Sequence, residues 1–158
     1  GTVPVSMVWL VIAALALGAA APPAAQQAVG RLRVELTLNK STYLVGEPVE
    51  ARLVVRVEGD GAARLQFRSG QRFDLIIRRQ GILVWRWSHD KAFTQTVEEV
   101  TLRPGETLTF RAAWDQLDLQ GRRIDPGEYE AQAIFLGRTP EVPASGIETP
   151  PIAFRIRG

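Results

Sequence analysis

The chain is 158 residues long, enough for one domain with an ordinary hydrophobic core. Its 19 basic and 17 acidic side chains nearly cancel, which argues against nucleic-acid binding. It has no cysteine and one histidine, His89, so disulfides, thiolate chemistry and the usual zinc ligand set are excluded.

No ionisable side chain precedes Arg31. Residues 8–17 are a continuous apolar run, followed by small residues from Gly18 to Ala21 and then Pro22-Pro23-Ala24-Ala25. This is the pattern of a secretory signal peptide, and the run is short for a spanning helix. Residues 1–25 are expected to be a signal segment cleaved between Gly18 and Ala25, residues 26–30 a linker, and residues 31–158 the folded domain. On this reading the protein is secreted or periplasmic and has no membrane span after processing. No Lys or Arg precedes the apolar run, and a retained membrane anchor is the alternative.

Leu32, Val34, Leu36 and Leu38 alternate with polar residues, the period-two pattern of a half-buried strand. A loop over residues 39–48 leads to a second such strand carrying Val49, Ala51, Leu53, Val55 and Val57. After a turn at residues 58–61, Leu65 and Phe67 mark a short strand, and Ser69-Gly70-Gln71 turns the chain again. Phe73, Leu75 and Ile77 form the inward face of the next strand. Arg79-Gln80-Gly81 makes a hairpin, and Leu83, Trp85 and Trp87 return on one face. Beyond an exposed loop at residues 88–96, Val97, Val100 and Leu102 indicate a strand, and Arg103-Pro104-Gly105-Glu106 suits a type II turn. Leu108, Phe110, Ala112 and Trp114 alternate next, then a polar connection fills residues 115–127. Tyr129, Ala131, Ala133 and Phe135 follow, and Ile152, Phe154 and Ile156 close the domain after a loop rich in Pro, Gly, Ser and Thr.

Eight or nine short strands without helical periodicity predict an all-β protein, an antiparallel sandwich or barrel. Asp125-Pro126-Gly127-Glu128-Tyr129 supports the immunoglobulin-like sandwich. A tyrosine after a Pro-Gly turn at the start of a late strand matches the tyrosine corner of such folds, its hydroxyl returning to a nearby backbone group. If successive strands reverse direction, the connections 39–47, 69–71, 88–96 and 115–127 share one end and 138–150 lies at the other.

Catalytic equipment is not expected. Ser88-His89-Asp90 are consecutive, whereas a triad converges from separate segments. Asp115 and Asp118 read as solvated loop acids and not as a metal site, and no phosphate-cradling glycine loop occurs. No enzyme activity, cofactor or metal is therefore assigned. Trp85, Trp87 and Trp114 fall in register with core positions; a sugar-binding platform would need at least two of these rings on an outer face. Phe93 stands in a polar loop, where it either plugs the open end of the sandwich or projects as an anchor into a partner.

Five blocks appear in order: Ser69-Gly70-Gln71-Arg72-Phe73-Asp74, Val84-Trp85-Arg86-Trp87-Ser88, Lys91-Ala92-Phe93-Thr94-Gln95, Leu102-Arg103-Pro104-Gly105-Glu106, and Trp114-Asp115 with Pro126-Gly127-Glu128-Tyr129. Together they resemble the BsuPI-like family of bacterial intracellular proteinase inhibitors, over about half of the chain. The resemblance implies an immunoglobulin-like β-sandwich that inhibits a serine protease of the subtilisin type. The partner-binding surface is expected at Ser69, Gly70, Gln71, Lys91, Ala92, Phe93, Thr94 and Gln95. Phe93 is the anchor on this view, because subtilisin-type primary pockets accept large apolar side chains. Two other readings stand beside this one: a non-inhibitory structural or assembly module of the cell envelope using an exposed strand edge, and a carbohydrate-binding module using the tryptophans.

Overall fold

The computed structural model describes residues 21–158 of the chain. In β2 (Leu32–Leu38) and β4 (Val49–Val57) every second side chain is buried, and the strands pair antiparallel from Leu32↔Val57 to Leu38↔Ala51. β1 (Ala24–Val29) adds to the free side of β2, and β9 (Thr107–Trp114) to the free side of β4, giving the order β1-β2-β4-β9. A second sheet is built around β10 (Gly127–Phe135), which lies between β12 (Ile152–Arg157) and β6 (Phe73–Arg79). β3 (Thr42–Leu44) extends this sheet beyond β12, β7 (Ile82–Arg86) extends it beyond β6, and β11 (Ile147–Glu148) pairs with the end of β10. β5 (Ala63–Phe67) and β8 (Glu98–Leu102) form a separate two-stranded ribbon.

The inward faces of the two large sheets share one core. Trp114 of the first sheet meets Tyr129 and Phe154 of the second, with ring centroids 5.8 and 6.3 Å apart. Phe110 likewise meets Phe73 and Phe135 at 5.2 and 6.1 Å. Burial of large side chains contributes roughly 1.5–3 kcal/mol each, and in a chain without cysteine this is the main source of cohesion. Tyr129 donates its hydroxyl to the Asp125 carbonyl, the corner geometry predicted from the Pro-Gly turn, and accepts a bond from Arg79 Nη1 at 3.0 Å. Trp85 and Trp114 are buried as predicted, and Trp87 is half-buried.

Twelve strands are present among the described residues, not eight or nine, and side-chain alternation does not announce the additional ones. β1 lacks apolar alternation and is largely exposed; it is held by backbone pairing to β2 over its whole length. Residues 26–30 are therefore not a linker, and the folded part begins at Ala24, inside the segment expected to be a signal. The rest of that expected segment, residues 1–20, lies outside the described residues. Among the described residues no helix is long and apolar enough to cross a membrane. Leu83 was expected to face inward and is exposed instead. The register shift that sets Trp85 opposite Ile77 and Leu83 opposite Arg78 leaves Val84 as an extra residue, and such a bulge moves the residues beyond it to the other face.

The expected sharing of one end by four connections is also corrected. β5 and β8 pair with each other and not with β6 or β7, so direction does not alternate strictly along the chain. Connections 39–47 and 115–127 meet at one end, where the Gln116 side chain accepts from Gly46 N at 3.0 Å and donates to the carbonyls of Leu44 and Glu47 at 2.9 and 2.6 Å. β6 finishes at this end, with Arg79 Nη1 3.3 Å from the Asp125 carbonyl. Connections 69–71 and 88–96 meet at the opposite end, where β6 begins and Gly70 N donates to the Thr94 carbonyl at 2.8 Å. The long loop after β10 leaves from this second end too, with Arg138 bridged to Gln66.

Candidate functional site

Three segments converge at the second end: residues 69–72, the 3-10 turn Trp87–Asp90, and residues 91–97. The junction is organised by β6. Asp74 is only 5% exposed, and its carboxylate accepts from Ser88 N at 3.1 Å, from Ser88 Oγ at 2.5 Å and from Leu75 N at 3.0 Å. A buried carboxylate is tolerated when its oxygens are hydrogen-bonded, and here those bonds set the start of the 3-10 turn. Arg86 Nε stands 4.0 Å away. The preceding residue, Phe73, stacks on Trp87 with centroids 4.3 Å apart. Adjacent β6 residues point to opposite faces, so Phe73 and Asp74 grip the same turn from two sides.

Residues 91–97 then run without strand or helix pairing. The segment leaves the turn in extended backbone, with Lys91 at φ −113° and ψ 148°. It is secured at three points. Lys91 N donates to the Ser88 carbonyl at 3.1 Å, Gly70 N donates to the Thr94 carbonyl at 2.8 Å, and Arg72 Nη2 pairs with Glu98 Oε2 at 2.9 Å where β8 begins. The Arg72 guanidinium also lies 4.1 Å over the Phe67 ring, which holds it in place. Glycine at position 70 permits the close approach, since a Cβ there would lie 2.7 Å from Thr94 Oγ1. Ser69 Oγ accepts from Gln71 N at 3.1 Å, and Gln71 Nε2 donates to the Phe73 carbonyl at 3.0 Å, closing the opposing turn.

The eight residues singled out from the sequence are thus all at this end, and Gly70 touches Thr94 directly. Their side chains divide. Phe93 is half-buried with its ring 6.0 Å from Trp87, and the Lys91 ammonium lies 4.5 Å over the same indole. Ala92, Thr94, Gln95, Thr96 and Val97 are exposed. Sequence reasoning missed the supports of the segment: Asp74, Ser88, Arg72 and Glu98. The available signal was Asp74 itself, an acid inside the apolar stretch Phe73-Asp74-Leu75-Ile76-Ile77.

Other candidates resolve into structural roles. The Ser88 hydroxyl is engaged by Asp74, and His89 Nε2 lies 4.0 Å from its neighbour Asp90, so the consecutive Ser-His-Asp does not form a relay. Asp118 caps its own loop, accepting from Gln120 N and Arg122 N at 2.9 Å each and from Arg122 Nε at 3.2 Å. These bonds, the Arg122 N–H first, hold its carboxyl below the ordinary range. Asp115 accepts from Leu117 N at 3.1 Å. Burial of Trp85 and Trp114 removes two of the three rings a sugar platform would use, and Lys91 and Phe93 cover the third.

The model of the BsuPI family, described as intracellular proteinase inhibitor, matches residues 36–140, about two thirds of the chain. The chain belongs to the BsuPI family. The match takes in the whole of the second end, from β5 to the Arg138 bridge. The family's intracellular description overturns the secreted or periplasmic location expected from the apolar lead. The expectation rested on an apolar run followed by small residues, a pattern that does not by itself fix where a protein resides. No curated protein matches in sequence. Among solved structures, the sporulation control protein Spo0M of Bacillus subtilis is similar at 19% identity and TM-score 0.47, covering 82% of this chain and 51% of that one. The DNA glycosylase AlkC of Pseudomonas fluorescens is similar at 14% identity and TM-score 0.48, covering 82% and 31%. A Listeria innocua β-glucosidase in complex with isofagomine reaches 13% identity and TM-score 0.45, covering 84% and 16%. The chain spans between 16% and 51% of the length of these three structures.

Proposed function

We propose that this BsuPI-family chain is a non-enzymatic inhibitor of a serine protease, subtilisin-type favoured, and that an immunoglobulin-like sandwich serves as the scaffold for residues 91–97. One observation carries the reading: this largely exposed segment, free of strand and helix, is tied down at its start, at its middle and just beyond its end. Ordering a binding loop in advance removes entropy that association would otherwise cost, which suits it to occupy a protease cleft. Lys91 and Phe93 act here as buttresses against Trp87. Ala92, Thr94 and Gln95, flanked by Ser69, Gly70 and Gln71, make the contact. The Phe93 side chain thus serves as the plug of this end, and its packing on Trp87 favours that role over the anchor role.

The test is residual activity of a subtilisin-type and a trypsin-type protease titrated with the purified protein. Inhibition of the subtilisin-type enzyme is expected. Ala92→Asp, at an exposed position, is expected to weaken it at least about thirtyfold, the scale of a central contact, with an unchanged melting temperature. Absence of inhibition of either protease would refute the reading; unaltered inhibition by Ala92→Asp would remove the segment from it.

A further inference from the structure

The first sheet ends at β9, which pairs with β4 along its whole length and, among the described residues, with no strand on its other side. Its eight residues run without a bulge, contain no proline and carry one charge, Arg111. Natural proteins blunt open edges by shortness, by charged side chains or proline, by bulges or by covering them. The other edges follow that rule: β3 has three residues, β7 has five with a bulge at Val84, and β1 runs beside β11. Arg111 is the one such protection on β9, which is long, unbulged and, among the described residues, uncovered by a further strand, and its inward residues Leu108, Phe110 and Ala112 are only half-buried.

The charges on the outer face point to what the edge lacks. Arg33 and Arg56 stand directly opposite each other, and Glu58 neutralises both, 2.9 Å from one and 3.7 Å from the other. Arg52 and Arg111 stand opposite each other in the same way, but among the described residues neither has an ion-pair partner. Glu50, two residues from Arg52, accepts from Asn39 Nδ2 at 3.2 Å, and residues 1–20 contain no Asp or Glu. Like charges opposed on one face destabilise a strand pair. The next position in this row, beyond Arg111, is the free side of β9.

We propose that β9 is a docking edge for an extended segment of a partner protein. The segment adds as a fifth strand and places an aspartate or glutamate opposite Arg111, within reach of Arg52. Backbone hydrogen bonds to β9 supply the attachment, and the carboxylate supplies register and selectivity. Arg52 and Arg111 both line an open concavity of about 540 Å³ on the outer face of β2, β4 and β9, which Glu50 lines as well. This edge uses none of the residues of the 91–97 segment, so its occupancy is independent of protease inhibition.

The probes are labelled octapeptides of alternating Thr and Val, with Glu, Gln or Lys replacing a central Thr, and binding is read by fluorescence anisotropy. The Glu peptide is expected to bind at least about threefold more tightly than the Gln peptide, an exposed-pair effect. Arg111→Gln is expected to abolish that difference, and Arg111→Glu to make the Lys peptide the preferred one. Hydrogen exchange is expected to slow at amides of Thr107–Trp114 when the Glu peptide is bound. Failure of all three peptides to bind, equal binding of the three, or protection confined to other strands would overturn the proposal. Concentration-dependent self-association that itself protects Thr107–Trp114 would also overturn it, by making the occupant a second copy of the chain.

Discussion

Asp74→Ala is the sharpest test of how the exposed segment is held. The substitution removes the acceptor for Ser88 N at 3.1 Å and Ser88 Oγ at 2.5 Å, both at a part-buried position. Each donor left unpaired costs roughly 1–3 kcal/mol, so a loss of about 2–6 kcal/mol in unfolding free energy is expected. Asp74→Asn keeps the shape and one acceptor oxygen and exchanges charge-assisted bonds for neutral ones, so it should lose less, about 1–2 kcal/mol. Urea unfolding at fixed pH measures both, with the slope against denaturant expected to stay constant if the native and unfolded ensembles keep their extent. Amide exchange should accelerate first at Ser88 and Lys91, because the Lys91 N–H is bonded to the Ser88 carbonyl of the same turn. Inhibition by Asp74→Asn should fall under conditions where the protein remains folded, since the loosened turn no longer pre-orders the segment. An Asp74→Ala protein within about 0.5 kcal/mol of the wild type, the range of neutral surface changes, would refute this account.

Trp114 is fully buried between the sheets, and its indole N–H donates to the Leu117 carbonyl at 2.8 Å. Trp114→Ala is expected to cost about 3–5 kcal/mol, seen as a large drop in melting temperature; a near-wild-type melting curve would contradict the core assignment. Tyr43 is pushed up from 10.0 to about 12, chiefly by burial, with Glu47 and Glu50 adding to the rise and a bond from Lys40 N opposing it. A raised folded value means the protonated phenol contributes stability that is intact below pH 10 and is lost as pH climbs toward 12. Unfolding free energy should therefore fall between those limits. The Tyr43→Phe variant, which also loses the bond to Asn39 Oδ1 at 2.6 Å, should show a shallower fall. Equal slopes for the two proteins would exclude Tyr43 as the titrating group.

The all-β class, the principal strands and the Tyr129 corner were determined by the sequence alone, because each is a local matter. Alternation such as Leu32, Val34, Leu36 and Leu38 states which face of a strand is buried, and a Pro-Gly pair states where a turn must lie. The blocks that mark the family were legible for the same reason, and the residues of the candidate surface lie within them. Tertiary structure alone decided the rest. β1, β3 and β11 are held by backbone pairing, which leaves no periodic trace in side chains. The ends at which loops gather depend on β5 choosing β8 as its partner, a non-local pairing that strand counting cannot see. Phe93 and Lys91 are local in sequence, yet their direction was set by Trp87, and Asp74 acquired its role only when β6 and the 3-10 turn were brought side by side. Period-two patterning records whether a side chain is buried; what it is buried against is decided by the packing of distant segments.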